Sequence, residues 1–139
     1  MQGKIISLSE ASSIAIHAVV IIASEDKPIT VNRIAEVTGA SKNHLSKVMQ
    51  VLVKHNIVNS IRGPLGGFVL NKTAYNLTLL DIYECMEGKI IYNEICPLNR
   101  PVCPFQKCIM GNIVNNLTKE LKESLSLQTL GSFIKSPHQ

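Results

Sequence analysis

Three of the chain's four cysteines fall in one stretch, Cys96-Pro-Leu-Asn-Arg-Pro-Val-Cys103-Pro-Phe-Gln-Lys-Cys108. The thiolate, not the thiol, binds metals and attacks electrophiles. Three thiolates are one short of a closed tetrahedral site and one too many for a single disulfide. A disulfide would leave an odd thiol and would need an oxidising compartment. Structural zinc takes four ligands, commonly with roughly two to four residues between the members of a pair. Here the gaps are six and four residues and the loop holds no histidine, so zinc fits poorly. Proline follows both Cys96 and Cys103. It fixes φ and offers no N–H, which keeps the loop out of regular structure. Arg100 and Lys107 offset thiolate charge and lower the thiol pKa. The stretch reads as a ligand loop whose remaining partner lies elsewhere, or as a bare loop with relic thiols. Cys85 reads differently. It sits among Ile82, Tyr83 and Met86, where a small buried apolar residue is the simpler account.

The elements that must position this loop follow from hydrophobic period and punctuation. Residues 9–23 place Ala11, Ile14, Ala15, Ala18, Val19 and Ile22 on one helical face. Pro28 breaks the chain. Thr30 can cap a short helix bearing Val31, Ile34 and Ala35, and Gly39 is placed to stop it. Ser41 can cap a third helix with Leu45, Val48, Met49 and Leu52 inward, ending near Asn56. Two short helices joined by "TGAS" make a helix-turn-helix pattern. Ile57, Val58 and Ile61 read as a strand and Phe68, Val69 and Leu70 as its return, around the cationic turn "RGPLGG". A fourth helix starts near Thr78, with Asp81 as its capping-box partner, and ends at Gly88. The cysteine loop follows. Ile109, Ile113, Leu117, Leu121 and Leu125 then recur every fourth residue, which predicts a long amphipathic helix. It lies beyond a domain that already looks complete, so its stripe is expected to pack on a second copy. A short helix from Thr129 to Lys135 closes the chain.

The expected fold is therefore mainly α with a small β-hairpin: a winged helix-turn-helix domain over residues 1–88, a cysteine loop over 89–108, and a dimerisation helix with a C-terminal segment over 109–139. Charge follows the same division. The net charge is +4; residues 1–75 carry eight Lys/Arg against four Asp/Glu, and residues 76–139 carry six of each. The positive excess sits in the half that would meet a polyanion. On the third helix Lys42, Asn43, His44, Ser46, Lys47 and Gln50 lie off the apolar face. Side chains of these types near a helix N-terminus reach base edges in a major groove. Lys42, Lys47 and Arg33 suit phosphates. Arg62 suits a minor groove. Ser41 and the turn glycines Gly63, Gly66 and Gly67 complete the expected DNA-contact set. The alternative is a winged helix used for protein contacts without DNA.

The stretches "LSEASSIAIHAVVIIA", "TVNRIAEVTGASKNHLSKVMQVLVKHNIVNSIRGPLGGFVL" and "LTLLDIYECMEG", then the cysteine loop and "TLGSF", together resemble the IscR/NsrR family. That family comprises the iron–sulfur-cluster regulator, the nitric-oxide-sensitive repressor and their relatives. The resemblance spans nearly the whole chain in order, and "IRGPLGGFVL" is similar to the family's wing. It implies a homodimeric winged-helix transcription factor, commonly a repressor, on a palindromic double-stranded operator. It implies further that Cys96, Cys103 and Cys108 bind an iron–sulfur cluster, 2Fe-2S or 4Fe-4S, whose redox, nitric-oxide or iron response controls DNA affinity. Such clusters are held by thiolates.

Two departures matter. The six- and four-residue gaps differ from the five and five of familiar members. The histidine expected three residues after the last cysteine is replaced by Gly111. Where relatives supply an aspartate from the other subunit's first helix, this chain has Ser13, a poor iron ligand. Glu10 and His17, one turn to either side, are the candidate fourth ligands beside an exogenous one. Cluster-free relatives exist, so a regulator controlled by a metabolite or a protein partner is the alternative.

Other classes fit less well. The longest apolar run, residues 14–23, contains His17 and is too short to span a membrane. No basic region with a cleavage site opens the chain, and the cysteine density is far below that of a secreted scaffold. A cytoplasmic protein with reduced thiols is expected. No phosphate-binding glycine loop precedes a helix and no triad or carboxylate pair is evident, so no enzyme is expected.

Overall fold

The structure is a computed structural model. It describes residues 8–90, 104–106, 109–110 and 113–134. Cys96, Cys103 and Cys108, with Arg100, Lys107 and Gly111, lie outside these residues.

The helices are α1 (Glu10–Ser24), α2 (Val31–Thr38), α3 (Lys42–Lys54), α4 (Leu79–Glu87) and α5 (Ile113–Ser126). The strands are β1 (Val58–Ile61) and β2 (Gly67–Leu70). Each expected cap is in place. The Thr30 hydroxyl accepts from the Arg33 N–H, and the Ser41 hydroxyl accepts from the His44 N–H. Thr78 and Asp81 form a reciprocal capping box. Such caps satisfy backbone donors that a helix leaves unpaired at its start. Gly39 ends α2 with φ +73°, and Asn56, at φ +58°, turns the chain out of α3 into β1.

α1 is the central helix. Ala15, Ala18, Val19 and Ile22 are buried on it, and it packs against α2, α3, α4 and β2. Small alanines let the neighbouring helices approach closely. Ile34, Leu45, Met49, Leu52, Val58 and Ile82 fill the rest of one continuous core. β1 and β2 pair antiparallel, with Val58 opposite Leu70 and Ile61 opposite Gly67. One further pairing has no local signature in the sequence. Ile29 and Phe68 exchange N–H···O bonds of 3.1 and 2.8 Å, so the segment before α2 forms a one-residue third rung on the hairpin.

The C-terminal segment returns to this core. Leu130 is fully buried, and its N–H donates to the Leu77 carbonyl at 2.7 Å. The expected closing helix is a 3-10 turn, Leu130–Phe133, and Lys135 lies outside the described residues. The long amphipathic helix is also shorter than expected. Ile109 sits in a turn, 74% exposed, and α5 begins at Ile113. Gly111 intervenes, and glycine costs about 1 kcal/mol against alanine inside a helix. No residue of α5 is buried. No helix among the described residues is long and apolar enough to cross a membrane.

Candidate nucleic-acid interface

The stop at Gly39 and the cap at Ser41 leave only a short turn between α2 and α3. That turn holds itself. The Gly39 N–H donates to the Ala35 carbonyl at 2.8 Å, and the Ala40 N–H donates to the Thr38 hydroxyl at 3.2 Å. α3 buries Leu45, Val48, Met49 and Leu52 against α1 and α2, which fixes its rotation. Lys42, Asn43, Lys47 and Gln50 are exposed on the opposite side. The first turn of α3 contains no acidic residue of its own, and the carboxylate that the structure brings to it is Glu10 of α1, 3.6 Å from His44. The positive end of the α3 dipole favours anions such as backbone phosphates.

Two expected contact residues are already engaged within the chain. The Ser41 hydroxyl serves as the N-cap of α3. His44 is half-buried, with Nδ1 3.6 Å from Glu10 Oε1 at the start of α1. Ser46 is half-buried and faces an open groove of about 430 Å³ between α3 and the hairpin, where it joins Gln50, Lys54, Ser60 and Phe68. Arg33 is exposed on α2 and pairs with Glu36 at 3.2 Å, an exposed pair of small energetic weight.

The wing tip carries Arg62, which is exposed, and a turn closed by the Gly66 N–H on the Gly63 carbonyl at 2.9 Å. A Cβ on Gly66 would lie 2.2 Å from the Ile61 carbonyl oxygen, and one on Gly67 would lie 2.7 Å from the Ile29 backbone. These two glycines therefore have a structural duty: they let the strands and the Ile29 segment close on one another. Gly63 has open space at its Cβ position, with φ +109°. The structure thus gathers Lys42, Asn43, Lys47, Gln50 and Arg62 as exposed polar groups on α3 and the wing.

The sequence profile of the Rrf2 family, described as iron-dependent transcriptional regulators, matches residues 8–136. The chain belongs to the Rrf2 family. An HTH-type transcriptional regulator of Aquifex aeolicus is 33% identical over 112 residues, covering 81% of this chain and 76% of that protein. The HTH-type regulator BadM of Rhodopseudomonas palustris is 33% identical over 81 residues, 58% of this chain and about half, 52%, of BadM. Among solved structures, the global cysteine regulator CymR of B. subtilis superposes with a TM-score of 0.67 at 22% identity, covering 94% of this chain and all of CymR. IscR of T. potens superposes with a TM-score of 0.66 at 22% identity, covering 90% and 83%. The winged-helix fold expected for this Rrf2 chain is the one these structures share, and its helix-turn-helix serves DNA-binding transcriptional regulation.

Both candidate outside ligands lie on α1. Glu10 is held near His44. His17 is exposed, and its Nδ1 lies 2.6 Å from the Ser13 carbonyl. A carbonyl only accepts, so Nδ1 carries the hydrogen in this bond, which leaves Nε2 as the ring nitrogen without a hydrogen bond to the backbone. A backbone bond at one ring nitrogen is how metal-binding histidines are commonly oriented. Cys85 is half-buried against the core, and burial pushes its thiol pKa up, away from the thiolate a ligand requires. Among the described residues no three His, Cys, Asp or Glu side chains converge on a point.

One contact here could not be anticipated. Ser12, fully buried on α1, donates to Glu87 at 2.6 Å, and Ser9 donates to the same carboxylate oxygen. Those two bonds hold the Glu87 carboxyl below the usual glutamate range. Burial, with the Glu87 charge as a smaller cause, raises the Tyr83 phenol. The end of α4 is thus clipped to the start of α1 immediately before the segment that leads to the cysteine loop.

Proposed function

We propose that the chain is a homodimeric, operator-binding repressor whose DNA affinity is set by an iron–sulfur cluster held by Cys96, Cys103 and Cys108. The observation that carries the sensing part is the donor set: three closely spaced cysteines with cationic and proline neighbours, in a chain of the Rrf2 family. Such a cluster supplies a redox- and nitric-oxide-reactive group. His17 is the better-oriented outside ligand, because its Nε2 is available while Glu10 is drawn to His44.

The chain's own residues carry the signal. The loop leaves α4 just beyond Glu87. Glu87 grips Ser9 and Ser12 on α1. Glu10, next to Ser9, faces His44 on α3. A change at the loop alters the α4–α1 clip and, through it, the seating of the recognition helix. Dimerisation rests on the exposed stripe of α5, where Ile113, Val114 and Leu117 are 54, 36 and 44% exposed. Two α3 helices on one dimer read half-sites at a spacing the dimer fixes.

A second reading is a cluster-free regulator controlled by a metabolite or a protein partner. The fold likeness to CymR, named for cysteine regulation, favours it. Anaerobic purification followed by visible spectroscopy and iron and sulfide analysis separates the two. The cluster reading predicts a coloured protein that Cys103→Ala bleaches without unfolding. Colourless protein after reconstitution, with neither iron nor sulfide, selects the second reading.

A further inference from the structure

The most exposed large apolar side chain among the described residues stands on the wing. Leu65 is 89% exposed. A single exposed leucine is ordinary on a protein surface, but this one is held out. Pro64 before it fixes φ. Gly66 after it cannot be replaced by a side-chain-bearing residue, because a Cβ there meets the Ile61 carbonyl at 2.2 Å. The Gly66 N–H closes the turn on Gly63, and Phe68 ties the hairpin to Ile29 at the base of α2. Leu65 therefore projects from a braced tip and cannot fold back onto the core. Arg62 stands exposed in the same turn, and Ile61 is 43% exposed beneath it.

A cation beside a projecting apolar group is the pairing that minor-groove readers use. The cation follows the groove's negative potential, and the apolar group wedges at a base step. Resting on the DNA-binding reading above, we infer that Leu65 is a specificity-determining wedge. It enters the minor groove of duplex DNA beside Arg62 and favours a pyrimidine–purine step, the kind most easily unstacked. The wing then selects sequence by deformability while α3 reads base edges. Leu65 makes no phosphate contact, so its contribution is insensitive to salt.

The test uses the full chain. Wild-type protein selects duplexes from a random-sequence pool at low salt. Leu65→Ala and Leu65→Met are then compared on a selected duplex carrying 2-aminopurine at its pyrimidine–purine step, with thermal melts as the control for folding. Leu65→Ala is expected to bind about tenfold more weakly, about 1.4 kcal/mol, with an unchanged salt slope. It should lose the rise in 2-aminopurine fluorescence and, in its own selection, lose the step preference. Leu65→Met should keep all three. Equal affinity and equal selected sequences for wild type and Leu65→Ala overturn the inference. So does a change of oligomeric state in Leu65→Ala, which would make the tip a protein contact. If the wild-type protein selects no duplex at all, the DNA-binding reading fails first and the wedge falls with it.

Discussion

The helix-turn-helix and hairpin, residues 30–70, and the α5 region, residues 113–126, satisfy their hydrophobic faces in opposite ways. In the first, each element turns its apolar side into one shared core: Leu45 and Leu52 on α3 and Val58 on β1 are fully buried. In the second, an equally regular stripe has no fully buried member: Leu121 and Leu125 are half-buried, while Ile113 and Leu117 stand exposed. Exposed stripes of this kind mark surfaces that another molecule covers. The difference is that one half buries its apolar faces within the chain and the other leaves much of its stripe exposed. On our proposal, DNA contact sits on the first half, and assembly and sensing sit on the second.

That contrast can be broken most severely at its buried end. Leu45→Ala should cost about 2–5 kcal/mol at any protein concentration, read from thermal or urea unfolding. A change below about 0.5 kcal/mol would mean the first half is not the self-contained core described. The matching change on the other half is Ile113→Glu with Leu117→Glu. It should convert dimer to monomer in sedimentation while helical circular dichroism persists. A dimer that survives both charges would place the interface elsewhere.

The first half was largely legible in the sequence because its signals are local. Thr30 and Ser41 cap helices within three residues of themselves, as Thr78 does at α4, and the apolar period of α3 names its buried face directly. What escaped reading is non-local. The Ile29–Phe68 rung joins single residues across the chain. Ser12 meets Glu87 over a separation of 75 residues, and no pattern announces it. The diversion of His44 toward Glu10 likewise depends on packing, so periodicity alone overstated how many α3 side chains stand free. Leu65 carries no signal of its own in the sequence, where the turn is marked by its glycines and its charge. On α5 the repeat was real, but Ile109 extended it one turn too far. Cys96, Cys103 and Cys108 fall outside the described residues, so their chemistry rests on residue type and spacing.

Smaller effects sharpen the contrast on the DNA side. Arg62→Ala should weaken operator binding roughly tenfold and lower the salt slope by about one, leaving the melting temperature unchanged. An unaltered salt slope would remove Arg62 from the interface. Smallest is Ser12→Ala at the clip between the halves, expected to cost about 1 kcal/mol at neutral pH. Glu87 titrates below its usual range in the folded protein, so its bonds stabilise above that range. That stability is lost as pH falls through the lowered folded value. Ser12→Ala should therefore show a shallower acid-side loss in a pH series of melts than the wild type. Parallel acid limbs would show that the Glu87 clip is not the titrating contact.

The central claim, that the cysteine loop governs the DNA-binding half, is tested most directly by operator affinity of one anaerobic preparation at fixed salt, measured before and after removal of the cluster. The account predicts at least a tenfold change, about 1.4 kcal/mol, that Cys103→Ala abolishes by locking the protein in the cluster-free value. Equal affinity in the two states, with the cluster's presence verified by iron and sulfide content, would contradict it.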